Sequence, residues 1–140
     1  MGCTKAYVEW HGFEGTVTID EPVLRYPDNP ILTCHDVNEI WSNDSRLYTY
    51  NVHNAGMAEV TGTNGKTQII MLFRSHIADG RSVIGKAVSD NGLNGWKVDP
   101  RPFLLPATEN DIFARGVDMA SIIESEAGGV EDIRVNPVGG

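Results

Sequence analysis

The sequence predicts an all-β fold, on three observations. Short runs of alternating or β-branched residues recur along the chain, and a pair such as Asn64-Gly65 separates two of them at hairpin spacing. Glycine supplies 15 of the 140 residues. That exceeds the usual share of about 7% and suits a chain full of tight turns. The turns themselves are spaced as in an antiparallel meander.

Taken in order, the elements support that reading. Tyr7-Val8-Glu9-Trp10 and Thr16-Val17-Thr18-Ile19 are brief candidate strands. Between Arg25 and Pro30, Pro27 and Pro30 fix an extended or turn geometry, which excludes regular structure. Residues 46–53 alternate well enough to form a strand. Residues 56–60 and 66–75 then read as two strands around the Asn64-Gly65 turn. Ala78-Asp79-Gly80-Arg81 turns the chain into a strand over 82–89, and residues 90–95 turn it again toward Trp96-Lys97-Val98. Residues 111–126 fit neither a helical nor a strand period, so both stay open there. Residues 129–140 read as the start of a further strand unit.

Composition narrows the function classes. With 11 basic and 19 acidic side chains the net charge is −8, and no basic cluster offers a groove for nucleic acid. A hydrophobic share of 41% against 21% charged residues is globular, not disordered. The longest apolar stretch, Ile69 to Phe73, falls far short of the roughly 20 residues a bilayer span needs. The first residues lack the apolar run of a signal peptide, and Ala6 stands where a myristoylation site takes serine or threonine. Cys3 and Cys34 show no metal spacing and read as reduced thiols, which points to the cytoplasm. The four histidines, His11, His35, His53 and His76, likewise lack metal spacing and receive no role. A chain of this length holds one domain. It excludes a complete (α/β)₈ barrel at about 250 residues and a finished propeller of four or more blades at roughly 40–50 residues each.

One turn carries two readings. Val60-Thr61-Gly62-Thr63-Asn64-Gly65-Lys66-Thr67 resembles the phosphate loop of the Mur ligases, whose backbone amides, lysine and hydroxyl hold a nucleotide and its Mg²⁺. That mechanism needs a helix opening at the lysine. Residues 67–73 are instead β-branched and aromatic, and Val60 occupies the place of the first glycine of a Walker loop. A hairpin is the better reading, and an ATP-dependent ligase using residues 62–67 is the remote one.

A second resemblance spans residues 22–137. Its segments, in order, are Arg25-Tyr26-Pro27-Asp28-Asn29-Pro30-Ile31-Leu32-Thr33, Asn54-Ala55-Gly56-Met57, Leu72-Phe73-Arg74, Asp79-Gly80-Arg81-Ser82 with Ile84-Gly85, Ala87-Val88-Ser89-Asp90-Asn91-Gly92, and Gly129-Val130-Glu131-Asp132-Ile133-Arg134. As an ordered set they resemble glycoside hydrolase family 130, the β-mannoside phosphorylases and related mannosidases. The resemblance implies a five-bladed β-propeller. This chain would cover about the first blade and the start of the second: an irregular lead-in over 1–45, a blade-like meander over 46–106, a connecting segment over 107–128, and the second blade from 129. It also implies that the chain is the N-terminal part of the enzyme and inactive alone. Ile133 stands where typical members have proline, Ala55 and Met57 differ from the usual motif, and the loop over 60–66 is longer.

The family chemistry assigns roles by position. Inverting cleavage needs an acid for the leaving oxygen and a nucleophile on the opposite face. A phosphorylase takes inorganic phosphate as that nucleophile, so one carboxylic acid suffices. Asp132 matches the family acid. Glu131 beside it is either structural or raises the Asp132 pKa by like-charge repulsion. Asn54 matches an asparagine that binds the mannosyl unit. Arg74 is either a strand-end arginine or a fork for sugar hydroxyls or an anion. Asp90 is either turn chemistry or a contact to the leaving sugar. Arg134, two residues beyond Asp132, is expected on the same strand face, orienting the acid or binding phosphate. The expected activity is phosphorolysis of a β-mannoside to α-mannose 1-phosphate, with phosphate as co-substrate and no metal or organic cofactor. A hydrolase of the same family and a non-catalytic carbohydrate-binding fragment are the alternatives.

Overall fold

The computed structural model describes residues 26–113 and 115–136. The two candidate strands before residue 20, Cys3, His11, Arg25 and residues 137–140 lie outside them. The described residues fold as a predominantly antiparallel β structure with two short α-helices. Strands β1 (His53–Thr61), β2 (Thr67–His76), β3 (Ser82–Ser89) and β4 (Lys97–Val98) form one sheet in the order β1-β2-β3-β4. All three pairings are antiparallel, so the sheet is the expected meander.

The two sides of the sheet are covered differently. On one, Met71 and Phe73 of β2 and Val83 and Ala87 of β3 pack with Leu32, Val37, Trp41 and Ile77. Val37 and Trp41 lie four apart on helix α1 (Cys34–Trp41) and so share one face. The region before residue 46, expected to be irregular, contains this helix because Thr33 and Asp36 form a capping box. The Thr33 hydroxyl accepts from the Asp36 amide at 3.3 Å, and the Asp36 carboxylate accepts from the Thr33 amide at 2.7 Å. On the other side, Leu72 and Ile84 pack with Val130, and Ile70, Ile133 and Val135 extend the cluster.

Local chemistry corrects two further expectations and settles one that was open. Residues 46–52 are not a strand: Ser45–Leu47 is a 3₁₀ turn capped by Asp44, and β1 begins only at His53. Asn38 of α1 occupies both backbone groups of Thr49, donating to its carbonyl at 2.8 Å and accepting from its amide at 2.7 Å. Those groups are therefore unavailable to a strand ladder. The open segment 111–126 contains helix α2 (Met119–Ser125), where the Asp118 side chain accepts from the Ser121 amide as an N-cap. Residues 129–136 form no strand. Gly129 makes a single parallel bridge to Ser82, and positive φ angles at Gly129 (121°) and Asp132 (42°) break the extended geometry.

The turn over 62–66 is a hairpin turn. The Gly65 amide donates to the Gly62 carbonyl and the Gly62 amide to the Lys66 carbonyl, each at 2.9 Å, while Lys66 pairs with Asp90 at 3.0 Å. No helix opens at Lys66, because β2 starts at Thr67. The nucleotide-loop reading is overturned with it. Cys34 is half-buried and forms no disulfide among the described residues. No helix among the described residues is long and apolar enough to cross a membrane.

Candidate functional site

A bulge in β1 creates the site. His53 pairs with Arg74 and Gly56 with Leu72, so three steps on β1 oppose two on β2. Asn54 absorbs the extra residue with φ at 48°. Asparagine tolerates that left-handed backbone better than most side chains do. The bulge turns the Asn54 amide away from the ladder, and it donates to Asp132 Oδ1 at 2.7 Å.

Asp132 reaches that amide because residues 130–135 lie across the sheet. The Ser82 carbonyl accepts from the Val130 amide at 2.9 Å. The segment passes so close to Gly56 that a Cβ there would sit 2.7 Å from the Ile133 carbonyl oxygen. Glycine at position 56 is thus a requirement of close approach.

Arg74 joins the two acidic residues. Its guanidinium lies 2.5 Å from Glu131 and 3.3 Å from Asp132, and its side chain is 14% exposed. The carboxylates are about half exposed, so water screens much of this attraction. Arg74 Nε and His53 Nε2 are buried without a hydrogen-bond partner among the described residues. Structure therefore brings Asn54, Arg74, Asp132 and Glu131 together from segments far apart in sequence.

The Asn54 amide, the strongest influence, holds the Asp132 carboxyl below its ordinary value; desolvation, next in size, opposes it, and the charges of Arg74 and then Arg134 add to the lowering. Of the two expectations for Glu131, the raised acid is not what the structure shows: the Arg74 fork sits against both carboxylates. Linkage then has one sign. A carboxyl lowered on folding contributes stability above the pH where unfolded aspartates titrate, and loses it as pH falls through the folded value. In a carboxyl ¹³C NMR titration, Asp132 is expected to titrate below an exposed reference aspartate. Asn54→Ala and Arg74→Met should each move its midpoint upward, Asn54→Ala the more; an unchanged midpoint in both would contradict the geometry.

The remaining predicted residues are not placed as expected. Arg134 does not share a strand face with Asp132; its guanidinium donates back to the carbonyls of Asp132 and Ile133 at 3.1 and 3.3 Å. Asp90 is at the opposite end of the sheet, accepting from Lys66 and Gln68 at 3.1 and 3.0 Å. Ser89 pairs with Ile69, five residues along β2 from Arg74, which is about 17 Å of strand. The structure does not bring Asp90 to the cluster.

Two histidines that received no role do border it. His76 Nε2 lies 3.4 Å from Arg74, and the His53 and His76 rings meet edge-on at 5.2 Å. Asn51 fixes His76 by accepting from its backbone amide at 3.0 Å and lying 3.0 Å from Nδ1. The signal was the Arg74–His76 spacing of two, which puts both side chains on one strand face. A shallow cleft of about 550 Å³ adjoins Glu131, lined also by Ile84, Leu104, Glu126 and Ile133. The larger cleft, about 1090 Å³, lies by Trp41, Arg46, Arg81 and Arg101 and contains none of Asn54, Arg74 or Asp132. No family model, curated protein or solved structure matches the chain.

Proposed function

We propose that this chain supplies the acid-bearing edge of a cytoplasmic enzyme that cleaves β-mannosides by inverting phosphorolysis, as the first blade and the start of the second in a five-bladed propeller. One observation carries the reading. Asn54, Arg74 and Asp132, singled out separately by the resemblance to glycoside hydrolase family 130, meet within hydrogen-bond range although 78 residues separate the first from the last. A carboxylate, an amide and a guanidinium fork in one cluster suit a ligand with adjacent hydroxyls, each of which both donates and accepts.

In this reading Asn54 and Arg74 grip the mannosyl unit and Asp132 carries the proton to the leaving oxygen, while inorganic phosphate attacks the opposite face. An acid must be protonated when it acts, and Asp132 is held ionised by Asn54 and Arg74. Sugar hydroxyls that take over those two donors remove what holds the carboxyl low. The neighbouring Glu131 charge then favours the protonated form.

The same lowered pKa favours a second reading, a carbohydrate-binding module in which Asp132 only accepts hydrogen bonds. Titration with a β-mannobiose, followed by NMR of the Asn54 side chain, separates the two when combined with an assay for mannose 1-phosphate in a longer parent chain that carries the remaining blades. Phosphorolysis predicts phosphate-dependent release that Asp132→Asn reduces by a factor on the order of 10²–10⁴, the usual contribution of a general acid. Binding without release favours the module, and release without phosphate marks a hydrolase. No response at Asn54 removes both the enzyme and the module.

A further inference from the structure

Three Asn-Gly pairs punctuate the chain, at Asn64-Gly65, Asn91-Gly92 and Asn94-Gly95. In such a pair the glycine amide nitrogen can attack the asparagine side-chain carbonyl, because glycine offers no Cβ to obstruct it. All three belong to exposed turns, yet their surroundings differ.

Two of the pairs are tied down. The Gly65 amide donates to the Gly62 carbonyl at 2.9 Å, and Asn64 Oδ1 accepts from the Lys66 amide at 3.0 Å. Gly92 donates to Ser89 Oγ at 3.1 Å. The Asn91 side-chain oxygen accepts from the Leu93 and Asn94 amides at 2.9 and 3.0 Å and from Ser89 Oγ at 3.2 Å. Either reaction must first break the nucleophile's hydrogen bond and then free the side chain.

Asn94-Gly95 lacks the restraint on the nucleophile, although the Asn94 carbonyl accepts from Ser89 Oγ at 2.5 Å and its amide donates to Asn91 Oδ1 at 3.0 Å. Among the described residues, the Gly95 amide has no hydrogen-bond acceptor and Asn94 Nδ2 has none. The only bond to the Asn94 side chain comes from Asn91 Nδ2, which donates to Oδ1 at 3.0 Å and polarises the carbonyl toward attack. Both residues are exposed, and no atom lies within 4 Å of where a Gly95 Cβ would stand.

We propose that Asn94 is a self-modification site of the folded protein, converting to aspartate and isoaspartate ahead of the other two asparagines. The bond from Gly95 N to Asn94 Cγ forms as the Cγ–Nδ2 bond breaks, and the amide leaves as ammonia with the Gly95 proton. Water then opens the resulting five-membered imide at either carbonyl. Opening at Cγ leaves aspartate; opening at the main-chain carbonyl leaves isoaspartate, with one extra methylene in the backbone. Each product adds one negative charge to a loop at the far end of the sheet from Asn54 and Arg74, so the site keeps its geometry.

The test is peptide-mapping mass spectrometry of the whole chain, aged folded at mildly alkaline pH and, in parallel, in concentrated urea. In the folded chain the Asn94 peptide should gain one mass unit and split into two isomers. Asn64 and Asn91 should lag at least about tenfold, the factor that one retained hydrogen bond supplies. In urea the three should converge. Gly95→Ala, at a φ of 63°, should slow the Asn94 reaction without altering the other two. Folded-state conversion of Asn64 or Asn91 as fast as Asn94 would overturn the proposal, as would an unreactive Asn94 in a chain that reacts in urea.

Discussion

Phe73→Ala is expected to cost about 3–5 kcal/mol, the range for truncating a fully buried phenylalanine. Whole domains are stable by only about 5–15 kcal/mol, so one residue carries a large share of the margin. Phe73 has no exposed surface, and its ring stacks on Trp41 at a centroid distance of 6.2 Å and an interplanar angle of 25°. Its partner across β3 is Gly85, and a Cβ on Gly85 would collide with the Phe73 ring. The ring thus fills the space of two side chains, and glycine has nothing with which to close the void. A denaturant titration reads the loss as a lower midpoint at unchanged slope. Phe73→Leu should lose much less, and equal losses for both would mean that the packing of this ring against Trp41 and Gly85 does not hold the fold.

Gly129→Ala is expected to detach the acidic segment while leaving the helix-covered side of the sheet folded. Gly129 sits at a φ of 121°, outside the range of residues with a side chain, and its new Cβ would overlap the Ser82 backbone and hydroxyl. Such backbone strain costs about 1–3 kcal/mol, and relieving it breaks the bridge to Ser82 and the bond from the Val130 amide. Val130 then leaves its contacts with Leu72 and Ile84, and Asp132 leaves Asn54. The signature is selective: the Asp132 titration midpoint returns to that of an ordinary aspartate, while the signals of Phe73 and Trp41 persist. Loss of the Phe73 and Trp41 signals as well would show that the two sides of the sheet are not separable.

The meander was legible because its determinants are local. Asn64-Gly65 and Ala78-Asp79-Gly80-Arg81 announce their turns within four residues, and strands β2 and β3 are dense in β-branched side chains. Helix α1 carried an equally local signal, the Thr33–Asp36 pair ahead of Val37 and Trp41, which the neighbouring prolines masked. What the sequence could not display is geometry that depends on a distant partner. Thr49 is kept out of β1 by a side chain eleven residues earlier. Residues 130–135 run extended by composition but are bent by left-handed backbone at Gly129 and Asp132. Asn54, Arg74 and Asp132 were found through a motif resemblance and meet as a cluster. Asp90 came from the same motifs and does not join it, since it pairs with a hairpin lysine; Arg134 stays beside Asp132 but bonds main-chain carbonyls, not the carboxylate.

The extra residue in β1 also sets a parity. From Gly56 to Thr61 the paired positions of β1 and β2 always sum to 128, whereas His53 and Arg74 sum to 127. Odd- and even-numbered residues exchange sides of the sheet across Asn54 and Ala55. His53 consequently stands beside Arg74, although unbroken counting from Gly56 would put it on the side of Phe73. Deleting one residue at the bulge would restore unbroken counting, abolish the left-handed position that aims the Asn54 amide, and leave every pairing from Gly56 onward intact. The cluster therefore depends on a count as much as on chemistry: one residue of slack, placed where the chain can be out of step with its neighbour.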